Sequence, residues 1–310
     1  MSWRTCSWRR SARTTTSRGC GWTLRGSRCP SLPRGRPGAV RRVHRAERGL
    51  AGWRRGPGNA AGRFRDDGAV AFGVLDLLFP HRCPACDALA GGGPGFCPRC
   101  AAGLVAVPEA VCPVCGRPGG GDGPCLACAE CRAERPPFEA AGSAWLFGGP
   151  LAEALGRFKA GEIPEFPAIA APSLATVARR LFGPGVGEMR PRPLAVAVPA
   201  DPVRLTRRGF DPGTLVGAAA ARRLGLTFRS DLLGSAPRPR AQRALSRVER
   251  RRALAGVFFL RPHASAVLAG REVLLLDDVR TTGSTTAACA RLLRRAGAAA
   301  VRVATLALVE

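Results

Sequence analysis

The stretch LLLDDVRTTGST, residues 274–285, decides the fold of this chain. Three leucines lead into two adjacent aspartates and then into a loop of threonine, glycine and serine. The apolar run predicts a buried strand, and the loop predicts that a helix begins near Ser284. In parallel sheets covered by helices, ligands bind beyond the carboxyl ends of the strands. The polar half of this stretch therefore lies where a ligand would bind.

These polar residues suit a sugar phosphate. Asp277 and Asp278 offer carboxylate oxygens that accept hydrogen bonds from vicinal hydroxyls. The following loop supplies hydroxyls and consecutive backbone N–H groups at a helix N-terminus, which suits a phosphate. Its residues are Thr281, Thr282, Gly283, Ser284 and Thr285. We therefore expect a ribose 5-phosphate site, with a purely structural motif as the alternative. A Walker P-loop is excluded, because the only lysine, Lys159, does not stand before a serine or threonine.

The segments around this stretch alternate between strand and helix patterns. Asp211 is a predicted N-cap, and Gly225 is the predicted end of the same helix. This alternation predicts an α/β fold with a parallel sheet that is covered by helices on both faces. The predicted helices begin at Pro150, Pro167, Pro212 and Ser284, and the predicted strands cover residues 193–199, 273–276 and 300–309.

Nine cysteines lie between residues 83 and 131, and eight of them form four Cys-x2-Cys pairs. Two such pairs complete the tetrahedral four-thiolate site that zinc accepts. We expect two structural Zn²⁺ sites without catalysis, because four thiolates leave no open position for a substrate. A disulfide framework and an iron or iron–sulfur site are the alternatives. The expected ligands are Cys83, Cys86, Cys97 and Cys100 in the first site and Cys112, Cys115, Cys128 and Cys131 in the second, with Cys125 as a possible alternate.

The N-terminal part of the chain differs in composition from the rest. Residues 1–65 contain 17 basic residues and one acid, Glu47, which gives +16 of the formal net charge of +26. They show no helical or strand period, so we expect disorder. Three interpretations are open: an extension from a start codon placed too early, a nucleic-acid-binding arm, and a targeting peptide. The best apolar run, residues 69–79, is too short for a membrane span and contains Asp76, so a cytoplasmic protein is expected.

Residues 274–285 resemble the phosphoribosyl pyrophosphate signature of type I phosphoribosyltransferases. With the cysteine pairs in front, the chain resembles the ComF family of competence-related proteins over about residues 70–310. The resemblance implies three parts: a basic extension at 1–68, a double zinc ribbon at 69–139 and a phosphoribosyltransferase-like domain at 140–310. Other stretches that carry it are LDLLFPHRCPAC, CPVCG, CAECRAERPPF, RRGFD and LSRVERRRAL.

The resemblance also implies roles for individual residues. Asp277 and Asp278 would bind the ribose hydroxyls, and residues 281–285 would hold the 5-phosphate. Phosphoribosyl pyrophosphate would bind with Mg²⁺, which bridges diphosphate and ribose oxygens. Pyrophosphate would be bound by Pro199, Ala200 and Asp201, and a mobile loop at 238–252 would bring Arg243, Arg250 and Arg251 to the reaction.

Two details of the site depend on the family pattern. The spacing from Cys131 to the following PPF sequence favours Cys128 and Cys131 over Cys125 as zinc ligands. After RRGF the family usually has Asn-Gln, whereas this chain has Asp211-Pro212. An acid at this position would oppose an anionic donor and puts turnover in doubt; the alternative is that Asp211 is simply the helix cap.

The resemblance implies two functions of different classes. The first is a cytoplasmic adaptor that passes imported single-stranded DNA from a competence helicase to a recombination mediator in natural transformation. The second is an active phosphoribosyltransferase that transfers ribose 5-phosphate to a base or amine. In relatives of this fold a separate hood recognises the acceptor. We expect the zinc ribbons to occupy the hood position, and hence to lie near the Asp277 loop.

Overall fold

Five parallel strands form the central sheet of the computed structural model; from one edge to the other they are residues 140–146, 300–308, 272–280, 194–197 and 227–229. The structure describes residues 80–91, 93–119, 126–237 and 256–310. The five strands are β1 (Ala140–Leu146), β2 (Leu194–Ala197), β3 (Thr227–Arg229), β6 (Glu272–Arg280) and β7 (Ala300–Leu308). A separate antiparallel pair consists of β4 (Leu233–Ser235) and β5 (Phe258–Leu260).

Helices cover both faces of this sheet. Those of the described residues are α1 (Pro98–Ala102), α2 (Ala129–Ala133), α3 (Gly149–Ala160), α4 (Phe166–Phe182), α5 (Pro202–Arg208), α6 (Pro212–Leu224), α7 (Ala264–Leu268) and α8 (Ser284–Arg295). One core cluster joins α3, α4 and α6 to the sheet, and a second joins α7, α8 and the β4-β5 pair to its other face. The predicted α/β fold is thereby confirmed.

The apolar residues of strand β6 are explained by its position in the sheet. Leu274 and Leu276 belong to the cluster of α3, α4 and α6, whereas Val273 and Leu275 belong to the cluster on the opposite face. All four side chains are fully buried. A central parallel strand is buried on both faces, so its sequence is apolar throughout instead of alternating.

β6 is also longer than the sequence predicted. The apolar run stops at Leu276, but pairing with β7 continues to Arg280, which lies opposite Leu308. β2 pairs with β6 only as far as Ala197, opposite Leu276. Residues 277–280 therefore have a paired strand on one side only, and the two aspartates lie at the step where β2 has ended.

The second zinc ribbon and the segment before it contact the edge strand β1. The segment between the ribbons pairs with this strand, since Leu146 N–H donates to Val105 O at 2.8 Å. The second ribbon adds a hydrogen bond from Ala141 N–H to Val114 O, also at 2.8 Å. Gly116 has a φ of +64°, and a Cβ at this position would lie 2.2 Å from Ala141 O. The ribbon and the strand thus meet backbone to backbone, and the contact requires glycine.

Some predictions fall outside the described residues. These are the basic extension at 1–68, Cys125, and the loop at 238–252 with Arg243, Arg250 and Arg251. Within the described ranges, no helix combines the length and the apolar character that a membrane crossing requires.

Candidate functional site

A cavity of about 320 Å³ opens between the carboxyl ends of β2 and β6. The chain turns from β2 towards β3 on one side and from β6 towards β7 on the other, so the cavity lies at the topological switch point of the sheet. Ligand sites of open α/β sheets occur at this place. Its polar lining comprises Lys159, Asp201, Arg204, Arg208, Asp211, Asp277, Asp278, Thr281 and Thr285.

The two adjacent aspartates are held by backbone and side-chain groups. Asp277 Oδ1 accepts a hydrogen bond from Asp278 N–H at 3.0 Å, and Asp278 Oδ1 accepts one from Val279 N–H at 2.7 Å. Lys159 Nζ lies 2.5 Å from Asp278 Oδ2. Burial, and next the negative charge of Asp278, raise the pKa of Asp277 well above its ordinary value.

Three basic residues of this lining, Lys159, Arg204 and Arg208, were not predicted from the sequence, and Lys159 is the one that contacts an aspartate. It lies in the last turn of α3, whose apolar side packs on the sheet through Leu155 and Phe158. A sugar could not bind here if both aspartates were paired within the protein and side chains filled the space beside residues 281–285. Asp278 does form an ion pair, but Thr281 and Thr285 border an open cavity, so the site is retained as a candidate.

The loop at 281–285 lies between two cavities. Thr281 and Thr285 line the 320 Å³ cavity, whereas Thr282, Gly283 and Ser284 line a second cavity of about 580 Å³. Gly283 has a φ of +78° and precedes the first turn of α8. Thr282 Oγ1 and Ser284 Oγ are 2.9 Å apart. The structure thus brings the five residues into one turn at a helix N-terminus.

Residues 199–201 follow β2 and line the 320 Å³ cavity. Asp201 is the N-cap of α5, because its Oδ1 accepts a hydrogen bond from Val203 N–H at 2.9 Å. Ala200 N–H donates to Asp211 Oδ2 at 3.2 Å. The three residues predicted to bind pyrophosphate therefore face the cavity, with one backbone N–H already bonded to a carboxylate.

Asp211 has the predicted role of N-cap and also forms part of the cavity wall. Its Oδ1 accepts hydrogen bonds from Gly213 N–H at 3.0 Å and Thr214 N–H at 3.3 Å. Its Oδ2 accepts one from the Thr214 hydroxyl at 2.9 Å, in addition to the bond from Ala200. The carboxylate thus satisfies donors from the loop after β2 and from the first turn of α6.

The second ribbon lies beside the loop at 281–285. Arg117 Nη2 donates to Thr281 O at 2.9 Å, and the 580 Å³ cavity lies between this ribbon and the start of α8. The lining of this cavity includes Arg280, which is 2% exposed and whose Nε has no hydrogen-bond partner. Burial lowers the pKa of Arg280 to about 10. The ribbon is therefore near the Asp277 loop, as the hood prediction requires; recognition of an acceptor stays a prediction.

The eight predicted ligand cysteines form two clusters. Within each cluster, the four Sγ atoms lie within 4.8 Å of one another. The Cys86–Cys97 and Cys115–Cys128 sulfur distances are both 3.7 Å. Tetrahedral Zn²⁺ with Zn–S bonds of about 2.3 Å places its sulfurs roughly 3.8 Å apart. A disulfide bond would need about 2.05 Å. The clusters therefore fit two structural zinc sites.

The thiols of each cluster differ in pKa: burial raises the pKa of Cys100, Cys115 and Cys131, whereas that of Cys83 and Cys112 is lowered. Burial alone would raise the pKa of Cys112, but backbone hydrogen bonds, led by those from Cys115 and Cys128, lower it to about 6. The same balance lowers the pKa of Cys83 to about 7. Backbone N–H bonds to ligand sulfurs are the local feature that Cys-x2-Cys turns provide.

Two family models match parts of this chain. A double zinc ribbon domain matches residues 74–136, and a phosphoribosyl transferase domain matches residues 213–309. The DNA utilization protein YhgH of Salmonella typhi is 32% identical over 212 residues, which are 67% of this chain and 88% of that protein. YhgH of Escherichia coli K12 is 31% identical over 231 residues, which are 73% of this chain and 96% of that protein.

The chain belongs to the ComF family. This ComF protein therefore combines a double zinc ribbon with a phosphoribosyltransferase-type sheet, as the resemblance implied. Among solved structures, phosphoribosylpyrophosphate synthetase from Mycobacterium smegmatis aligns with 44% of the ComF chain and 33% of its own, at 16% identity and a TM-score of 0.25. That alignment is too weak to support a statement about fold or function.

Proposed function

We propose that this ComF protein binds phosphoribosyl pyrophosphate, or a related ribose 5-phosphate, in the 320 Å³ cavity. The observation that supports this most directly is the lining itself: Asp277, Asp278, Thr281 and Thr285 lie on one wall at the switch point. Carboxylates accept from ribose hydroxyls, and the N-terminus of α8 attracts the 5-phosphate. The two ends of a ribose 5-phosphate thus have complementary groups in one cavity.

The remaining charges of the cavity assign roles to further residues. Lys159 neutralises Asp278 and exchanges this contact for the ligand's oxygens when the ribose binds. Arg204 and Arg208 add positive charge to the opposite wall. Mg²⁺, which accompanies a diphosphate, would be held beside Asp277 and Asp278 through ligand oxygens, as is usual for its hydrated octahedral sites.

Calorimetric titration with phosphoribosyl pyrophosphate and Mg²⁺ tests this proposal. We expect the full chain to bind, and the double substitution Asp277→Asn with Asp278→Asn to lose binding. Asp231→Asn is the matched control, because Asp231 pairs with Arg229 and His263 and does not line the cavity. Wild-type protein that binds neither phosphoribosyl pyrophosphate nor ribose 5-phosphate, or a double variant that binds as well as the control, would contradict the proposal.

The role in DNA handling rests on the relatives and on one surface. Both relatives described above carry the name DNA utilization protein. Helices α6 and α8 each end in an exposed arginine pair and lead within a few residues into β3 and β7. Their last turns therefore lie where the strands begin, opposite the cavity. We define the basic edge as Arg192, Arg222, Arg223, Arg294 and Arg295.

The arginines of the basic edge can be explained in two ways. Arginines in the last turn of a helix complement its dipole, which accounts for each pair locally. Exposed guanidinium groups also bind the phosphates of single-stranded DNA without sequence preference. We propose the second role: a cytoplasmic adaptor that receives single-stranded DNA at the basic edge, between a competence helicase and a recombination mediator.

Anisotropy titrations of a labelled oligonucleotide at several salt concentrations test this role. Substituting Arg222, Arg223 and Arg295 by serine should weaken binding and reduce the log–log salt slope by roughly 0.7 per lost phosphate contact. A chain that lacks residues 1–68 measures the contribution of the N-terminal arginines. An unchanged slope in the edge variant would contradict the proposal. The matched control substitutes three exposed ribbon arginines, Arg99, Arg132 and Arg135.

The alternative function is an active phosphoribosyltransferase. The match of residues 213–309 to the phosphoribosyl transferase domain favours it. Catalysis would displace pyrophosphate at the anomeric carbon, and the chain would contribute positioning and charge stabilisation. Release of pyrophosphate on addition of bases or amines, lost in the double Asp277 and Asp278 variant, would establish turnover.

A further inference from the structure

We propose that Asp211 makes the cavity selective for ribose 5-monophosphates over donors that carry a diphosphate at the anomeric carbon. This inference rests on the proposed sugar-phosphate site and names its ligand class. Its basis is that the Asp211 carboxylate already occupies the position in which a second anionic group of the ligand would be bound.

Three backbone N–H groups surround that position, and we call them the amide cluster: Ala200, Gly213 and Thr214. The first follows β2, and the other two belong to the first turn of α6, a helix of 13 residues. Backbone N–H groups at a strand end and at a helix N-terminus are the groups that bind anionic ligand oxygens. All three donate to Asp211 here, at 3.2, 3.0 and 3.3 Å.

The two oxygens of Asp211 are both in use. Oδ1 accepts from Gly213 and Thr214, while Oδ2 accepts from Ala200 and the Thr214 hydroxyl. A diphosphate that reached the amide cluster would meet this carboxylate instead of unbonded donors. Asp201, Arg204 and Arg208 also line this cavity, so the charges around the approaching group are mixed, and the selectivity depends on the amide cluster being already bonded.

The 5-phosphate end of the ligand does not meet this obstacle. The loop at 281–285 and the N-terminus of α8 follow β6, whereas Asp211 belongs to the segment between α5 and α6. A ribose 5-monophosphate can therefore place its phosphate at the loop and its hydroxyls at Asp277 and Asp278. It brings no second anionic group to the amide cluster.

Asparagine at position 211 separates the two roles of this side chain. Aspartate and asparagine are equally good N-caps, since a carbonyl Oδ1 can accept from Gly213 and Thr214. The Asn NH₂ group, however, is a donor and cannot accept from Ala200 N–H or from the Thr214 hydroxyl. Asp211→Asn thus keeps the helix cap while it releases the Ala200 donor and removes the negative charge.

The test is calorimetric titration of the full chain with ribose 5-phosphate and with phosphoribosyl pyrophosphate, both with Mg²⁺ and at equal ionic strength. Wild-type protein should bind ribose 5-phosphate more tightly. Asp211→Asn should raise the affinity for phosphoribosyl pyrophosphate about tenfold, the effect of roughly one charged hydrogen bond, with less than about threefold change for ribose 5-phosphate.

Asp201→Asn is the matched control. It removes one negative charge from the same wall and keeps a helix cap, but it leaves the bond between Asp211 and Ala200 intact. An equal rise in the affinity for phosphoribosyl pyrophosphate in both variants would overturn the inference, because the loss of one negative charge would then explain it. An unchanged ligand preference in Asp211→Asn would also overturn it. Wild-type protein that binds neither ligand would overturn the proposed site itself.

Discussion

Gly116→Ala is expected to detach the second zinc ribbon from the sheet. The new Cβ would lie 2.2 Å from Ala141 O, a distance that real Cβ contacts do not show, so the two backbones must separate by about 1 Å. The hydrogen bond from Ala141 N–H to Val114 O, now 2.8 Å long, is then lost. Overpacking costs about 1–3 kcal/mol, the hydrogen bond about 1 kcal/mol and the positive φ about 1 kcal/mol.

Gly119→Ala is the matched control for this substitution. Gly119 has a φ of +70°, close to the +64° of Gly116, but a Cβ there meets no atom within 4 Å. Gly119→Ala therefore adds only the strain of a positive φ. The free energies of unfolding of the two variants should differ by about 2–4 kcal/mol. For a domain of this size the difference in Tm is on the order of 10 °C.

Thermal unfolding followed by circular dichroism, at matched zinc content, measures this difference. Zinc analysis should still find two ions per chain in both variants, since Gly116 supplies no ligand atom and all eight cysteines remain. If the two alanine variants unfold at temperatures within about 2 °C of each other, the ribbon is not held by this backbone contact and the reasoning is refuted.

Three further outcomes follow from the site and the ribbons. Burial and the charge of Asp278 raise the pKa of Asp277 in the folded protein. The contribution of Asp277 to the free energy of unfolding is therefore fully present below its unfolded pKa, and it is lost as the pH rises through its folded pKa. Asp277→Asn should therefore raise Tm more at pH 7 than at pH 4, and an equal gain at both would contradict this. Reductive ¹³C-methylation labels the side chain of the only lysine, and ribose 5-phosphate should shift the NMR signal of Lys159; an unmoved signal on saturation would rule out its release from Asp278. Cys112→Ser should lose one zinc ion and unfold the second ribbon, whereas Cys289→Ser, at a buried thiol outside both clusters, should keep both ions.

The local patterns of the sequence were sufficient for much of the fold. Leu274 to Leu276 predicted a buried strand because a strand covered on both faces must be apolar throughout. Asp211 and Gly225 predicted the ends of α6 because capping depends on groups within one turn of the helix. The cysteine spacing predicted both clusters because each Cys-x2-Cys turn is local.

The parts that the sequence did not reveal depend on contacts between distant segments. Asp277 was placed in a loop, but pairing with Thr305 of β7 keeps it in the strand. Lys159 and Asp278 are far apart along the chain, and no periodicity connects them. The bond between Ala200 and Asp211 required the loop after β2 and the start of α6 to be positioned together. Such geometry is set by tertiary packing.

The pairing of β1 with β7 has a consequence for synthesis on the ribosome. β1 comprises residues 140–146, and its partner comprises residues 300–308. The ribbons emerge first and can take up zinc early, but the strand on which they dock stays without its neighbour until β7 has left the exit tunnel. Non-local pairing of this kind folds slowly and exposes an unpaired edge in the meantime. Nascent chains stalled before residue 300 should therefore be clients for chaperones, with metal already bound.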